Sequence, residues 1–252
     1  MAITIKSERE IELMAEAGKI LERVHNELEK ALRPGMSTKD IDTLGEEIIR
    51  SYGCIPSFLN YNGYPASICV SVNQEVVHGI PDKHRIIQEG DIVSLDAGVI
   101  YKGYHSDAAR THAVGEASEE AKKLIQVTKE CFFEGIKFAK AGNHLFDISG
   151  AIGRYAEERG YGVVRDLCGH GIGTALHEAP EIPNYEVGRK GVRLRPGMTL
   201  AIEPMINIGT YEVDWLDDDW TVVTRDGSLS AHYENTILIT EGEPRILSLT
   251  CE

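Results

Sequence analysis

Apolar residues at Ile11, Met14, Leu21, Val24, Leu28 and Leu32 recur at helical spacing and make one stripe along a first helix. Ser7-Glu8-Arg9-Glu10 has the form of a capping box at its start, and Pro34-Gly35 stops it. The same reading predicts a second helix over 37–52, ended by Gly53, a third from Ser118 to about Lys140, and a fourth over 145–159. Elsewhere the period drops to two. Strands are expected over 67–72, 90–95, 108–114, 163–167, 198–206, 221–224 and 230–240, with Asp226-Gly227 as a turn. Residues 54–65, rich in Tyr, Asn, Gly and Pro, read as a loop.

The segment D-A-G-V-I-Y-K-G-Y-H-S-D, residues 96–107, lies between two alternating flanks and predicts an antiparallel hairpin. A turn centred between Tyr101 and Lys102 sets Asp96 directly opposite Asp107 on one sheet face. Directly opposed like charges repel, and a cation between them relieves the repulsion. An exposed acidic pair at a hairpin edge would explain the two residues equally well if nothing else bore on them.

A shift of 107 residues superposes the halves of the chain. It carries Arg33-Pro34-Gly35 onto Lys140-Ala141-Gly142, Asp40-Ile41 onto Asp147-Ile148, and Gly53 onto Gly160. It also carries G-D-I-V-S-L-D at 90–96 onto G-M-T-L-A-I-E at 197–203, so Asp96 meets Glu203. Asp107 finds its counterpart in Glu234, now 127 residues on, which implies an insertion around residues 214–220. Two halves of helix, helix and strands imply an α+β protein: one curved antiparallel sheet, helices on its outer face, and a pseudo-twofold repeat. Residues 1–252 are expected to form a single catalytic domain with halves at about 1–115 and 116–252.

Four carboxylates would then converge: Asp96, Asp107, Glu203 and Glu234. Unpaired in one cleft they repel and push their pKa values up. Two divalent cations cancel the charge, and carboxylates with one imidazole suit Mn²⁺, Fe²⁺, Co²⁺ or Zn²⁺. The imidazole candidates lie in C-G-H-G-I-G-T-A-L-H-E-A-P at 168–180, which contains His170 and His177.

Composition narrows the class. Hydrophobic content of 42% and charged content of 26% are ordinary for a globular chain. A net charge of −14 argues against a generic nucleic-acid binder. Five dispersed cysteines without C-x-x-C indicate neither a disulfide framework nor a zinc ribbon, and fit a reducing cytoplasm. No stretch approaches membrane-spanning length, and the N-terminus shows no apolar signal core.

Taken together, V-H-G-I-P at 77–81, D-A-G-x(6)-H-S-D at 96–107, G-H-G-I-G-x(3)-H-E-x-P, E-P-M at 203–205 and S-A-x-Y-E at 230–234 are highly specific. The chain resembles, over essentially its whole length, the type I methionine aminopeptidases of bacterial style, with the pita-bread fold of peptidase family M24. The resemblance implies metal ligands at Asp96, Asp107, His170, Glu203 and Glu234, with Asp107 and Glu234 bridging two ions. It implies His78, His177 and Glu203 as catalytic groups. It places Phe58, Tyr61, Tyr64, Cys69 and Trp220 around the methionine side chain, with Leu176 beside His177, and His78 and His177 on the substrate too.

The implied activity is removal of the initiator methionine from nascent polypeptide N-termini when the second residue is small. A cytoplasmic monomer in transient association with the ribosome is expected. The alternatives are an Xaa-Pro aminopeptidase or dipeptidase of the same fold, whose members usually carry an extra N-terminal domain, and a metal-free binding scaffold, whose members lose ligands. Two residues depart from the family pattern: His232 stands where Gln is usual and Asn235 where His is frequent. Both flank Glu234. His105 is read as a supporting residue, and His25, His84, His112 and His144 as structural or exposed.

Overall fold

Ser7 caps the first helix of the computed structural model, which describes residues 3–249; Met1, Ala2 and Cys251 lie outside them. The capping box is complete, since the Glu10 carboxylate also accepts from the Ser7 N–H at 2.7 Å. The helices are α1 (Glu8–Ala31), α2 (Thr38–Ser51), α3 (Glu119–Ile136) and α4 (Leu145–Glu157). The first half holds β1 (Ile55–Pro56), β2 (Ile68–Val72), β3 (Glu75–Val77), β4 (Ile92–Tyr101) and β5 (Tyr104–Ala113). The second holds β6 (Gly162–Val163), β7 (Gly169–Gly171), β8 (Glu178–Ile182), β9 (Thr199–Ile202), β10 (Met205–Asn207), β11 (Val213–Trp215), β12 (Val222–Thr224), β13 (Ser230–His232), β14 (Asn235–Leu238) and β15 (Arg245–Ile246). Every strand pairing among the described residues is antiparallel.

The sheet is built as four hydrogen-bonded pieces: β1-β4-β2 with β5 on β4, β13-β10-β6, β11-β12-β3, and β15-β14-β9-β7-β8. Side-chain parity sorts its two faces. In the first half Ile68 and Val70 of β2 and Val93, Leu95, Ala97 and Val99 of β4 pack with Leu21, Val24, Leu28, Ile41 and Ile49 of the helices. In the second half Leu200 and Ile202 of β9 and Ile237 of β14 pack with Leu124, Phe132, Ile148 and Ile152. Asp96, Glu203 and Cys69, of opposite parity, turn to the inner face.

The repeat is visible in the backbone. Gly35, Gly53 and Gly90 have φ of 91°, 72° and 89°, and Gly142, Gly160 and Gly197 have 92°, 83° and 86°. The bridge Ser37↔Ile86 recurs as His144↔Arg193. The N–H of Gly35 donates to Ile87 O, and that of Gly142 to Leu194 O. Each of these pairs differs by the same shift of 107. Hydrogen bonds join the halves: the main chains of Ala109 and Glu234 exchange N–H···O bonds of 3.4 and 3.0 Å, and Thr236 Oγ1 accepts from the Asp107 N–H and donates to Asp107 O, each at 2.9 Å.

Several expected boundaries move. α3 ends at Ile136, because the carbonyls of Gly135 and Ile136 accept i+3 bonds from Phe138 and Ala139 that tighten the last turn. The strand expected over 163–167 stops at Val163. The strand expected over 198–206 divides at Glu203-Pro204, where proline has no N–H for the ladder. The strand expected over 230–240 divides at Tyr233-Glu234, whose N–H groups leave their own strand for Pro204 O and Ala109 O. No helix among the described residues is long and apolar enough to cross a membrane.

Candidate metal centre

The β4–β5 hairpin turns on Lys102 and Gly103, with φ of 49° and 87°. Positive φ at both positions makes a type I′ turn, which matches the twist of the strands. Tyr101 therefore pairs with Tyr104, Asp96 with Ala109, and Asp107 with Gly98. The two aspartates are diagonal neighbours rather than opposed partners, so the sequence-based register was one residue early at the turn. The slip displaces the pairing by two residues and leaves both acids on the same face. Gly98 is required opposite Asp107, because a Cβ there would come within 2.7 Å of Ser57 Cβ and 2.9 Å of Phe58 Cε1. The loop that crosses at this point carries Phe58 to the inner face.

His170 sits on β7 between β8 and β9. Its glycine neighbours permit that fit: a Cβ on Gly169 would lie 2.4 Å from Ala201 O, and one on Gly171 2.2 Å from Ala179 O. His170 Nδ1 lies 2.9 Å from Gly171 O. A carbonyl can only accept, so Nδ1 carries the proton and the Nε2 lone pair is left bare. Nε2 stands 3.8 Å from Asp107 Oδ2 and 3.7 Å from Glu203 Oε1. Asp107, His170 and Glu234 each offer a ligand atom within 4.8 Å of one another. Glu203 adjoins this trio through His170, and Asp96 adjoins it through Asp107.

Electrostatics make the cluster unstable on its own. Burial, then the charges of Asp107 and Glu203, push the Asp96 carboxyl well above its usual range. Burial and the other acids do the same to Glu203 and Glu234, and burial pushes Asp107 up to about 7. Burial and the neighbouring His177 lower His170 to about 3, which keeps it neutral. Buried Asp96 Oδ1, Asp107 Oδ1 and Glu234 Oε1 have no hydrogen-bond partner. A bare imidazole lone pair facing carboxylate oxygens, with three further carboxylate oxygens orphaned beside it, is repulsive until a cation joins them, so the donor set fits divalent metal.

A cavity of about 280 Å³ opens over the cluster. All the residues that the resemblance assigns to metal, catalysis or substrate line it: Asp96, Asp107, His170, Glu203 and Glu234, and Phe58, Tyr61, Tyr64, Cys69, His78, Leu176, His177 and Trp220 around them. Tyr64 Oη donates to Gly79 O at 2.9 Å, and the Tyr64 and Trp220 rings meet edge-on at 5.1 Å. His78 has φ of 60°, a left-handed backbone rarely adopted by a side-chain-bearing residue. Gly79 holds that turn down, since a Cβ there would lie 2.4 Å from Val70 O. Burial, then His177, lower His78 to about 4. Tyr61 Oη lies 2.8 Å from His177 Nδ1.

Sequence reasoning missed Asn62, Val77, Asp166, Leu167, Cys168 and Met205 on the cavity wall. It also missed Asn184, fully buried, whose Nδ2 donates to Glu203 O at 3.0 Å. The six wall residues lie in or beside motifs that were read; Asn184 carries no local signal. His232 is buried with both ring nitrogens unpartnered, and its Nε2 is 3.8 Å from Glu203 Oε2. Its reach is toward Glu203, not toward the adjacent Glu234. Asn235 Oδ1 accepts from Arg110 Nη2 at 2.6 Å and Ser248 Oγ at 3.0 Å, well tied into the seam.

Known proteins share both sequence and fold. The profile of Metallopeptidase family M24 matches residues 12–241. A methionine aminopeptidase of Clostridium acetobutylicum is 58% identical over 99% of this chain and 100% of its own. Methionine aminopeptidase 1 of Bacillus subtilis is 51% identical over 95% of this chain and 96% of its own. The crystal structure of the Thermotoga maritima methionine aminopeptidase superposes with a TM-score of 0.96 at 47% identity, covering 99% of this chain and 100% of that one. With the geometry above, these matches make the chain a member of the methionine aminopeptidases of metallopeptidase family M24.

Proposed function

We propose that the chain is a dimetal aminopeptidase that removes N-terminal methionine from nascent proteins and peptides whose second residue is small. The observation that carries this reading is the floor of the cavity: four acids from two halves, three of them buried, a bare His170 Nε2, and apolar walls directly above. Asp96, Asp107, His170, Glu203 and Glu234 would together hold the divalent ions. Mn²⁺, Fe²⁺, Co²⁺ and Zn²⁺ all suit this donor set. Bound there, such ions would supply Lewis acidity, an acidified water and a position for the free α-amine.

The remaining work falls to side chains. Phe58, Tyr61, Tyr64, Cys69, Leu176 and Trp220 enclose an unbranched, polarizable side chain such as methionine. Glu203 takes the proton of the attacking water at its carboxylate. With Nδ1 engaged by Tyr61, His177 directs Nε2 at the oxyanion that develops on the scissile carbonyl. His78, held neutral by burial, hydrogen-bonds the scissile amide and helps its nitrogen leave. The crowding of His78 and His177 over the metal centre favours a small residue after methionine.

The substrate class implies nascent chains as partners, a cytoplasmic site of action and transient ribosome association by a monomer. The Xaa-Pro alternative lacks support in the relatives at 51–58% identity, which carry the methionine aminopeptidase name. Metal-reconstituted hydrolysis of Met-Ala-Ser, beside Met-Lys and Ala-Pro peptides, tests the reading. Release of methionine from the first alone is expected; cleavage of Ala-Pro in preference would overturn it.

A further inference from the structure

Lys6 is the only buried lysine or arginine among the described residues. Its ammonium lies 2.7 Å from Glu178 Oε2, and the two side chains are 5% and 11% exposed. Thr4 Oγ1 donates to the same oxygen at 2.6 Å and accepts from Lys6 Nζ. The Lys6 backbone N–H donates to Gly197 O at 2.8 Å, which lays residues 4–6 as a strap against the turn before β9. A buried ion pair is weak evidence for stability, because desolvation of both charges offsets most of their attraction. Its role is better sought in what it holds in place.

Glu178 directly follows His177 and opens β8. Its other oxygen, Oε1, accepts from the Ala175 N–H at 3.4 Å. Gly173 packs so tightly that a Cβ would lie 2.4 Å from Glu178 Oε1 and 2.5 Å from Lys6 Cε. The Gly173 carbonyl accepts from the His105 N–H at 2.8 Å. Thr174, Ala175 and His177 are themselves exposed, so within this loop only Gly173 and Leu176 are buried. The ion pair clamps the loop from one side, and Tyr61 meets His177 from the other.

We infer that Lys6 is a positioning residue for His177: through Glu178, the strap at residues 4–6 sets where loop 173–177 places the imidazole over the metal centre. The inference rests on the role proposed for His177, and a double-mutant cycle separates the two. Mn²⁺-reconstituted wild type, Lys6→Met, Lys6→Arg, His177→Ala and Lys6→Met/His177→Ala are compared on Met-Ala-Ser well below their melting temperatures.

Lys6→Met should lower kcat roughly 10–100-fold, as misplacement of a reacting group does, with KM changed by less than about twofold. Lys6→Arg should recover most of that loss. In the His177→Ala background Lys6→Met should cost less than about twofold further, since both changes remove one function. Hydrogen exchange over 173–178 should quicken in Lys6→Met and stay unchanged in α2. If His177→Ala turns over normally, the role given to His177 falls and the inference with it. If His177→Ala is impaired and the two losses multiply, or if Lys6→Met keeps full kcat, the inference alone falls. Should Lys6→Met not fold, Glu178→Gln replaces it, because it removes the ion pair and keeps the side-chain shape.

Discussion

In the first half of the molecule the two acids stand on unbroken strands of a single hairpin, closed by Lys102 and Gly103. In the second half they stand at interruptions: Glu203 before Pro204, and Glu234 between β13 and β14. Residues 208–229 replace the tight turn there, and they contain the β11–β12 hairpin with Trp220. The broken half uses glutamate, one methylene longer, where the regular half uses aspartate. The repeated frame thus brings four acids together, while the departure from the repeat adds Trp220 to the cavity wall.

Substitution of one central acid from each half tests the shared part most severely. Asp107→Asn and Glu234→Gln should each abolish measurable Met-Ala-Ser turnover and lower bound metal, read by elemental analysis of the purified protein. Two metals retained at wild-type affinity in either variant would rule out bridging by that residue. His177→Ala should come next, with a loss of roughly 10²–10⁴-fold in kcat and unchanged metal content. The unshared part should answer differently. Trp220→Ala should lower kcat/KM for methionyl peptides roughly 10–200-fold, mainly through KM, with metal content intact.

The buried acids also predict how the metal-free protein responds to pH. The Asp107 carboxyl is raised from 3.8 to about 7 in the folded chain, so the folded state holds a proton that the unfolded chain has released. That contribution is complete at acid pH and is lost as pH rises through about 7. Asp96, Glu203 and Glu234 shift in the same direction. Buried histidines such as His170 and His232 are lowered instead, so above their usual 6.5 they are neutral in both states. Between about pH 6.5 and 8 the Tm of chelated protein should therefore fall. Added Mn²⁺ should raise Tm by more at pH 8 than at pH 6.5, measured by calorimetry.

The smallest effect compares one glycine from each half. Gly90→Ala should cost about 1–2 kcal/mol from its positive φ alone, since its nearest neighbour would be Glu116 O at 3.6 Å. Gly197→Ala should cost more, because its Cβ would meet Ile5 Cγ2 at 2.7 Å and Lys6 O at 3.0 Å. Denaturant melts of both variants read the difference.

Much of this was legible before any coordinates. Ser7, Ser37 and Ser118 announce their helices because capping is local chemistry, and each does cap one. The acids reach a common face because strand parity survives a register error of two. The strand breaks at Glu203 and Glu234 were not legible. Apolar alternation runs through both positions, and the partner that draws the Glu234 N–H away is Ala109, distant in sequence. Asn184, which holds the Glu203 carbonyl, and Asp166 and Cys168 on the cavity wall depend in the same way on long-range packing. The approach of His232 to Glu203 is a cross-strand event, since His232 pairs with Met205, and adjacency in sequence pointed to Glu234 instead.

The hydrogen bonds between the halves have a reciprocity of position. Asp107 meets Thr236 through the Thr236 hydroxyl, and Ala109 meets Glu234 through the main chain; if Asp107 corresponds to Glu234, then Ala109 corresponds to Thr236, and the same two positions of each half meet twice, by different groups. That is the pattern of an isologous contact, in which one patch meets its own copy across a dyad. A half-length polypeptide docking with itself edge to edge would generate the same arrangement, with one acid from each copy beside the axis. In such an arrangement Asp107 and Glu234 occupy equivalent places, one from each half.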